Sequence, residues 1–159
     1  MILVGIIDED FINYKKPAMV LEFPMCNCFK CDRDCGMQVC QNSELATAER
    51  IDIKIDDIVQ RYLNNPISQA IVCQGLEPFD SIGDLFLFID TFRQYSKDDI
   101  VIYTGYKEEE IYPYVDMLKE RYKNIIIKFG RFKPNDTPYF DNILGVKLAS
   151  SNQYAKQVC

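Results

Sequence analysis

Apolar and polar positions along the chain follow two rhythms that take turns. The first is a short, nearly continuous apolar run, as in Ala18-Met19-Val20-Leu21-Glu22-Phe23, which predicts a buried strand closed by Pro24. The same rhythm returns at Gln69-Ala70-Ile71-Val72-Cys73, Asp99-Ile100-Val101-Ile102-Tyr103, Asn124-Ile125-Ile126-Ile127-Lys128 and Leu144-Gly145-Val146-Lys147-Leu148. The second is helical: Ile55, Ile58, Val59, Tyr62 and Leu63 share one face, and Asn64-Asn65-Pro66 stops the helix. A second helix is predicted from Asp80 or Ser81, either of them a sound N-cap, with Ile82, Leu85, Phe86, Ile89 and Phe92 inward. A third carries Ile111, Tyr114, Val115, Leu118 and Tyr122, with Glu108, Glu109 and Glu110 in its first turn, where the helix dipole favours carboxylates. Ile51, Ile53 and Ile55 alternate as a strand or an extended lead-in to the first helix.

Strands alternating with helices at this spacing predict an α/β fold with a mainly parallel sheet. At 159 residues the chain suits a single domain over 1–159 and is too short for a complete eight-stranded barrel of about 250 residues. A partial (βα) barrel or an open, mainly parallel sheet with helices packed outside is the expected architecture. In either, ligands bind at the carboxyl ends of the strands. The loop after Phe23, the turn from Gln74 to Pro78 and Thr104-Gly105-Tyr106 all fall at such ends.

Composition narrows the chemistry. Apolar residues make up 48% and charged residues 26%, enough for a hydrophobic core. A net charge of −6 argues against nucleic-acid binding, which calls for a basic face. No apolar run reaches the roughly 18 residues of a membrane span, and the first residues lack the pattern of a signal peptide. A cytoplasmic protein without membrane or nucleic-acid partners is expected. Histidine is absent, which excludes histidine bases, histidine ligands and the triads built on them.

Five of the seven cysteines, Cys26, Cys28, Cys31, Cys35 and Cys40, crowd into one loop. Such crowding without a signal peptide fits thiolate metal ligation better than a disulfide scaffold. Structural zinc sites pair two knuckles across a spacer of roughly 12–20 residues, whereas Cys28/Cys31 and Cys35/Cys40 are almost contiguous. An iron–sulfur cluster on three or four of these thiolates is the preferred reading. Cys73, at the end of an apolar strand, packs as a small hydrophobe, and terminal Cys159 has no assigned role.

Several stretches together carry a family resemblance. Phe23-Pro24-Met25-Cys26 opens the cysteine loop and Cys40-Gln41-Asn42 closes it. Gln74-Gly75-Leu76-Glu77-Pro78 is similar to a Gly-Gly-Glu-Pro turn, and Ile102-Tyr103-Thr104-Gly105-Tyr106 to the following strand end. Gly130-Arg131-Phe132 and Ala149-Ser150-Ser151-Asn152-Gln153 are similar to an ending Asp-Gly-Arg-Phe … Gly-Ser-Ser-Asn-Gln. In this order, over residues 18–153, the chain resembles radical S-adenosylmethionine (SAM) proteins, most nearly the small activating proteins of anaerobic (class III) ribonucleotide reductase. It departs from the family's Cys-x3-Cys-x2-Cys: Cys31 and Cys35 have the first spacing, but position 38 is glutamine. Val39, Phe129 and Ala149 also replace family residues.

The resemblance implies a 4Fe-4S cluster and SAM as cofactors. Matching the flanks places Cys26, Cys31 and Cys40 on the cluster, with Cys28 and Cys35 as alternative ligands. Three thiolates leave one iron open to chelate SAM, whose reductive cleavage yields the radical, so no catalytic side chain is implied beyond cluster and SAM. Glu77, flanked by Gly75 and Pro78, is either a solvated turn residue or the partner of SAM's methionine ammonium; the resemblance favours the latter. Gly75, Pro78, Thr104, Asn42, Arg131, Ser151 and Asn152 are implied as further SAM-side residues. For Asn42 an N-cap and a loop-organising role stay open. The implied function is an oxidoreductase that generates a glycyl radical on a large partner such as anaerobic ribonucleotide reductase, supplied with electrons by a flavodoxin or ferredoxin. The alternatives are a radical SAM enzyme acting on a small molecule and a non-catalytic cluster- or zinc-binding module. All versions place the cysteine loop and Glu77 at one end of the sheet.

Overall fold

A computed structural model describes residues 1–159 except Cys28. In chain order it contains β1 (Ile2–Leu3), β2 (Gly5–Asp10), β3 (Ala18–Phe23), α1 (Lys30–Cys35), β4 (Ile51–Asp52), α2 (Ile55–Leu63) and β5 (Ala70–Gly75). These are followed by α3 (Ile82–Phe92), β6 (Asp99–Tyr103), α4 (Tyr112–Arg121), β7 (Ile125–Phe129), β8 (Tyr139–Asp141), β9 (Val146–Leu148) and β10 (Tyr154–Gln157). Six strands form one sheet in the order β10-β7-β6-β5-β3-β2. Its four central strands are parallel, joined by right-sized helical crossovers, while β2 and β10 are antiparallel edges. The edges do not pair with each other, so the sheet is open and mixed, with peripheral helices.

Side chains alternate across a strand, and the two faces of this sheet have different fates. One face presents Met19, Leu21 and Phe23, then Ile71 and Cys73, Ile100 and Ile102, and Ile125, Ile127 and Phe129. Against it pack Ile58, Val59 and Tyr62 of α2, Leu85, Phe88, Ile89 and Phe92 of α3, and Val115 and Leu118 of α4. Tyr62 and Phe92 meet edge to face at 5.0 Å. Each such large side chain contributes about 1.5–3 kcal/mol when fully buried, which makes this layer the chief source of stability. Cys73 is fully buried here as a neutral thiol, as its apolar strand predicts.

On the other face Val20, Val72, Val101 and Ile126 stand side by side in register across the four parallel strands. Leu144, Leu148 and Ala155, from the chain after β7, cover that row together with Tyr14. Two residues further along each strand, the same parity turns polar: Glu22 pairs with Gln74, and Tyr103 with Lys128. The carboxyl end of this face therefore carries a polar rung that the apolar cover does not seal.

The predicted strands and helices are present, with informative changes at their edges. The tail strand shortens to β9 because Leu144 and Gly145 form a turn, donating their N–H groups to Asp141 Oδ1 and Asp141 O at 2.9 and 2.8 Å. Its antiparallel hairpin partner is β8. Glu108–Glu110 forms a 3-10 turn ahead of α4 rather than the first turn of that helix. Tyr114, predicted inward, is partly exposed and stacks on Phe79 at 6.2 Å. Among the described residues no helix is long and apolar enough to cross a membrane.

Candidate functional site

The site begins where β5 leaves the sheet. Gly75 has φ +94°, and a Cβ there would lie 2.6 Å from the backbone nitrogen of Phe23, so only glycine lets the ends of β3 and β5 approach this closely. The turn is stitched to the start of the cysteine loop: Leu76 N donates to Phe23 O at 3.1 Å, and Glu77 N to Met25 O at 2.7 Å. The cysteine loop and Glu77 thus share one end of the sheet, as the strand order predicts.

Glu77 is not a solvated turn residue; it is 4% exposed. Its carboxylate accepts the Thr104 hydroxyl at 2.8 Å, Gly105 N at 2.9 Å and Phe79 N at 3.2 Å. It therefore bolts the end of β5 to the end of β6. Burial pushes its pKa up to about 7, against the pull of those three donors. Three donors on this carboxylate make Glu77 the group that orders the turns at both strand ends. Thr104 belongs to the same lattice, its hydroxyl also accepting Tyr106 N at 3.0 Å. Pro78 begins the short 3-10 turn Pro78–Ser81 and lies outside the pocket wall.

The remaining predicted residues divide cleanly. Asn42 Nδ2 donates to Gly75 O at 2.7 Å, tying the far end of the cysteine loop to the β5 turn, which decides for the loop-organising role. Arg131 faces two carboxylates: its Nη2 donates to Glu110 at 2.7 Å, and its Nε lies 3.2 Å from Asp34 without hydrogen-bond alignment. That guanidinium holds the Glu110 carboxyl down at about 2. Asn152 Nδ2 donates to Arg131 O at 2.8 Å, and exposed Ser151 binds Asp136 at 2.9 Å; neither lines the pocket. Cys26, Cys31, Cys40, Asn42, Gly75, Glu77, Thr104 and Arg131 do line a single cavity of about 340 Å³.

The cysteines do not form the expected ligand set. Among the described residues no three His, Cys, Asp or Glu side chains come together so as to hold a metal ion. Cys31 and Cys40 are brought together at Asp32, whose Oδ1 accepts Val39 N and Cys40 N at 2.7 Å each and the Cys31 thiol at 3.8 Å, drawing the loop back onto α1. Burial, reinforced by the Cys40 neighbour, pushes the Cys31 thiol up to about 12. Cys26 lines the same cavity without completing a triad, Cys35 ends α1 outside its wall, and Cys28 lies outside the described residues. Among the described residues, the 4Fe-4S cluster, and with it SAM cleavage, the radical SAM assignment, oxidoreductase activity and the zinc or cluster module, lacks its structural requirement.

What sequence reasoning missed is the polar rung. Lys128, at the end of β7, is 7% exposed and lines the cavity. Its ammonium donates to Gly130 O at 2.9 Å and stands 5.8 Å from the Tyr103 ring centroid. Burial lowers its pKa to about 8, with the Glu77 carboxylate pulling the other way. The signal was available in the strand endings Val72-Cys73-Gln74, Val101-Ile102-Tyr103 and Ile126-Ile127-Lys128, each of which breaks an apolar parity with a polar last residue.

Scans of protein-family models, curated proteins and solved structures found no match to this chain.

Proposed function

We propose that the protein binds a small organic anion, a carboxylate or phosphate on an apolar or planar body, at the carboxyl ends of its parallel strands. The observation that carries this reading is Lys128. An ammonium has three donors, and the hydrogen-bond partner that Lys128 has among the described residues, Gly130 O, takes one. Four other charged groups around the cavity, Lys30, Glu77, Asp80 and Arg131, have partners of their own within the protein. Glu77 accepts from three donors, Asp80 accepts the Tyr106 hydroxyl and Asn27 N at 2.7 Å each, and Arg131 faces Glu110 and Asp34. A buried positive charge with donors to spare, in a protein whose net charge is −6, favours an anion. Leu76, Tyr103, Tyr106, Phe132 and Leu148 supply apolar surface for the rest of the ligand. The cavity volume of about 340 Å³ lies at the lower end of small-molecule sites.

The test is a titration of isotope-labelled protein, followed by NMR, with phenyl phosphate as the probe and benzyl alcohol as its uncharged counterpart. Phenyl phosphate is expected to shift the resonances of Gln74, Tyr103 and Lys128 saturably. Lys128→Met is expected to weaken it roughly ten- to a hundredfold, the range for losing a charge-assisted hydrogen bond. Equal binding of the alcohol, or unchanged affinity in Lys128→Met, would overturn the reading.

A further inference from the structure

The thiol pair Cys31–Cys40 has no part in anion binding, and its geometry calls for its own explanation. Nine positions apart in the chain, the two residues converge on one carboxylate oxygen, the Cys31 thiol donating to Asp32 Oδ1 at 3.8 Å and Cys40 N to the same atom at 2.7 Å. Gly36, at φ +66°, reverses the chain after α1, with Gly36 N donating to Arg33 O at 3.3 Å and Met37 N to Asp32 O at 3.2 Å. The Asp32 carboxylate then takes Val39 N and Cys40 N, both at 2.7 Å. The loop-closure entropy of joining the two cysteines is thus already spent in the reduced protein. Both thiols are half-buried in the cavity wall, and α1 has no buried residue to resist a small adjustment.

We propose that Cys31 and Cys40 form a redox-active dithiol that exchanges with low-molecular-weight disulfides such as oxidised glutathione. One protein thiolate attacks the external disulfide and releases one molecule of reduced thiol, leaving a mixed disulfide. The second protein thiolate then attacks the protein sulfur of that mixed disulfide and displaces the second molecule. Two protein S–H bonds are lost and one protein S–S bond forms. The two electrons reduce the external S–S bond, whose halves leave as thiols carrying the two protons. The product staples α1 to the segment at Cys40 across the cavity wall.

The experiment treats the reduced full-length protein with oxidised glutathione, blocks remaining thiols, and maps cysteine pairing by peptide mass spectrometry. The expected result is a dominant Cys31–Cys40 peptide with the mass lost by two hydrogens, restored by dithiothreitol. Cys31→Ser and Cys40→Ser should both abolish it, and Cys31→Ser should accumulate a glutathione adduct on Cys40, since burial keeps the Cys31 thiol protonated and suits it to the second step. Cys26→Ser, Cys28→Ser and Cys35→Ser should each retain the bridge. A dominant bridge between any other pair, or glutathione adducts in the wild type with no bridge, would overturn the proposal. Mapping the wild-type protein alone decides between these outcomes should a variant fail to fold.

Discussion

At Glu77 one carboxylate gathers Phe79 N, Gly105 N and the Thr104 hydroxyl, so two strand ends depend on a group that burial would prefer neutral. A folded-state pKa of about 7, above the ordinary 4.5, means that the folded protein binds more protons than the unfolded chain between those values. Stability from this group is therefore fully present below pH 4.5 and is lost as pH rises towards 7, by about 3 kcal/mol in all. In Glu77→Gln that slope should vanish, read from urea midpoints between pH 4.5 and 7; an unchanged slope would mean that the carboxyl titrates normally. Gly75 makes the complementary case for backbone. At φ +94°, with Phe23 N only 2.6 Å from where an alanine Cβ would stand, Gly75→Ala should lower stability by about 1–3 kcal/mol, measured in the same way. Neither role was legible from residue type: a glutamate beside a proline reads as a surface turn, because the donors that bury it come from a strand 27 and 28 positions away.

Elements were legible where one face is apolar and the other wet. The helical period of Ile55, Ile58, Val59, Tyr62 and Leu63 predicts α2; the first four are buried, whereas Leu63, the last residue of the helix, is exposed. The continuous apolar runs predict β3, β5, β6 and β7, because strands covered on both faces need no polar alternation. Edge strands escaped for the opposite reason. β10 offers only Ala155 to the interior among four residues, and its neighbours in the strand are exposed, so its pattern is indistinguishable from a polar tail. The cysteine loop was misread at this scale. Spacing counts residues, whereas Asp32 sets the distances by folding Val39 and Cys40 back onto α1. Asp32→Ala should leave global stability nearly unchanged. It should speed amide exchange at Val39 and Cys40 by roughly tenfold or more, the loss of hydrogen bonds to a charged acceptor. Unchanged protection at both amides would show that Asp32 is not the fastening.

Over the whole molecule, the sheet divides stability from binding. Its helix-covered face is dry, while the carboxyl end of the other face spends a polar rung and a buried ammonium on an open cavity. That arrangement predicts a trade-off. Lys128 has a folded-state pKa lowered from 10.5 to about 8, so the unfolded chain binds more protons in that window, and stability rises as pH climbs through it. At pH 7 the buried charge is a net cost, and Lys128→Met should raise unfolding stability by about 1–3 kcal/mol while weakening phenyl phosphate binding. A destabilised Lys128→Met would instead make the lysine a structural member of the sheet. The fold class was readable because period and parity are local. The centre of the pocket was not, because four strand endings become one rung only after the register is set. The most direct measurement is the titration of the Lys128 ammonium itself, by NMR of labelled lysine side chains, with and without saturating phenyl phosphate. The account predicts a midpoint near 8 in the free protein and a clear upward shift with the probe, since a bound anion favours the charged form. An ordinary lysine midpoint that the probe does not move would contradict it.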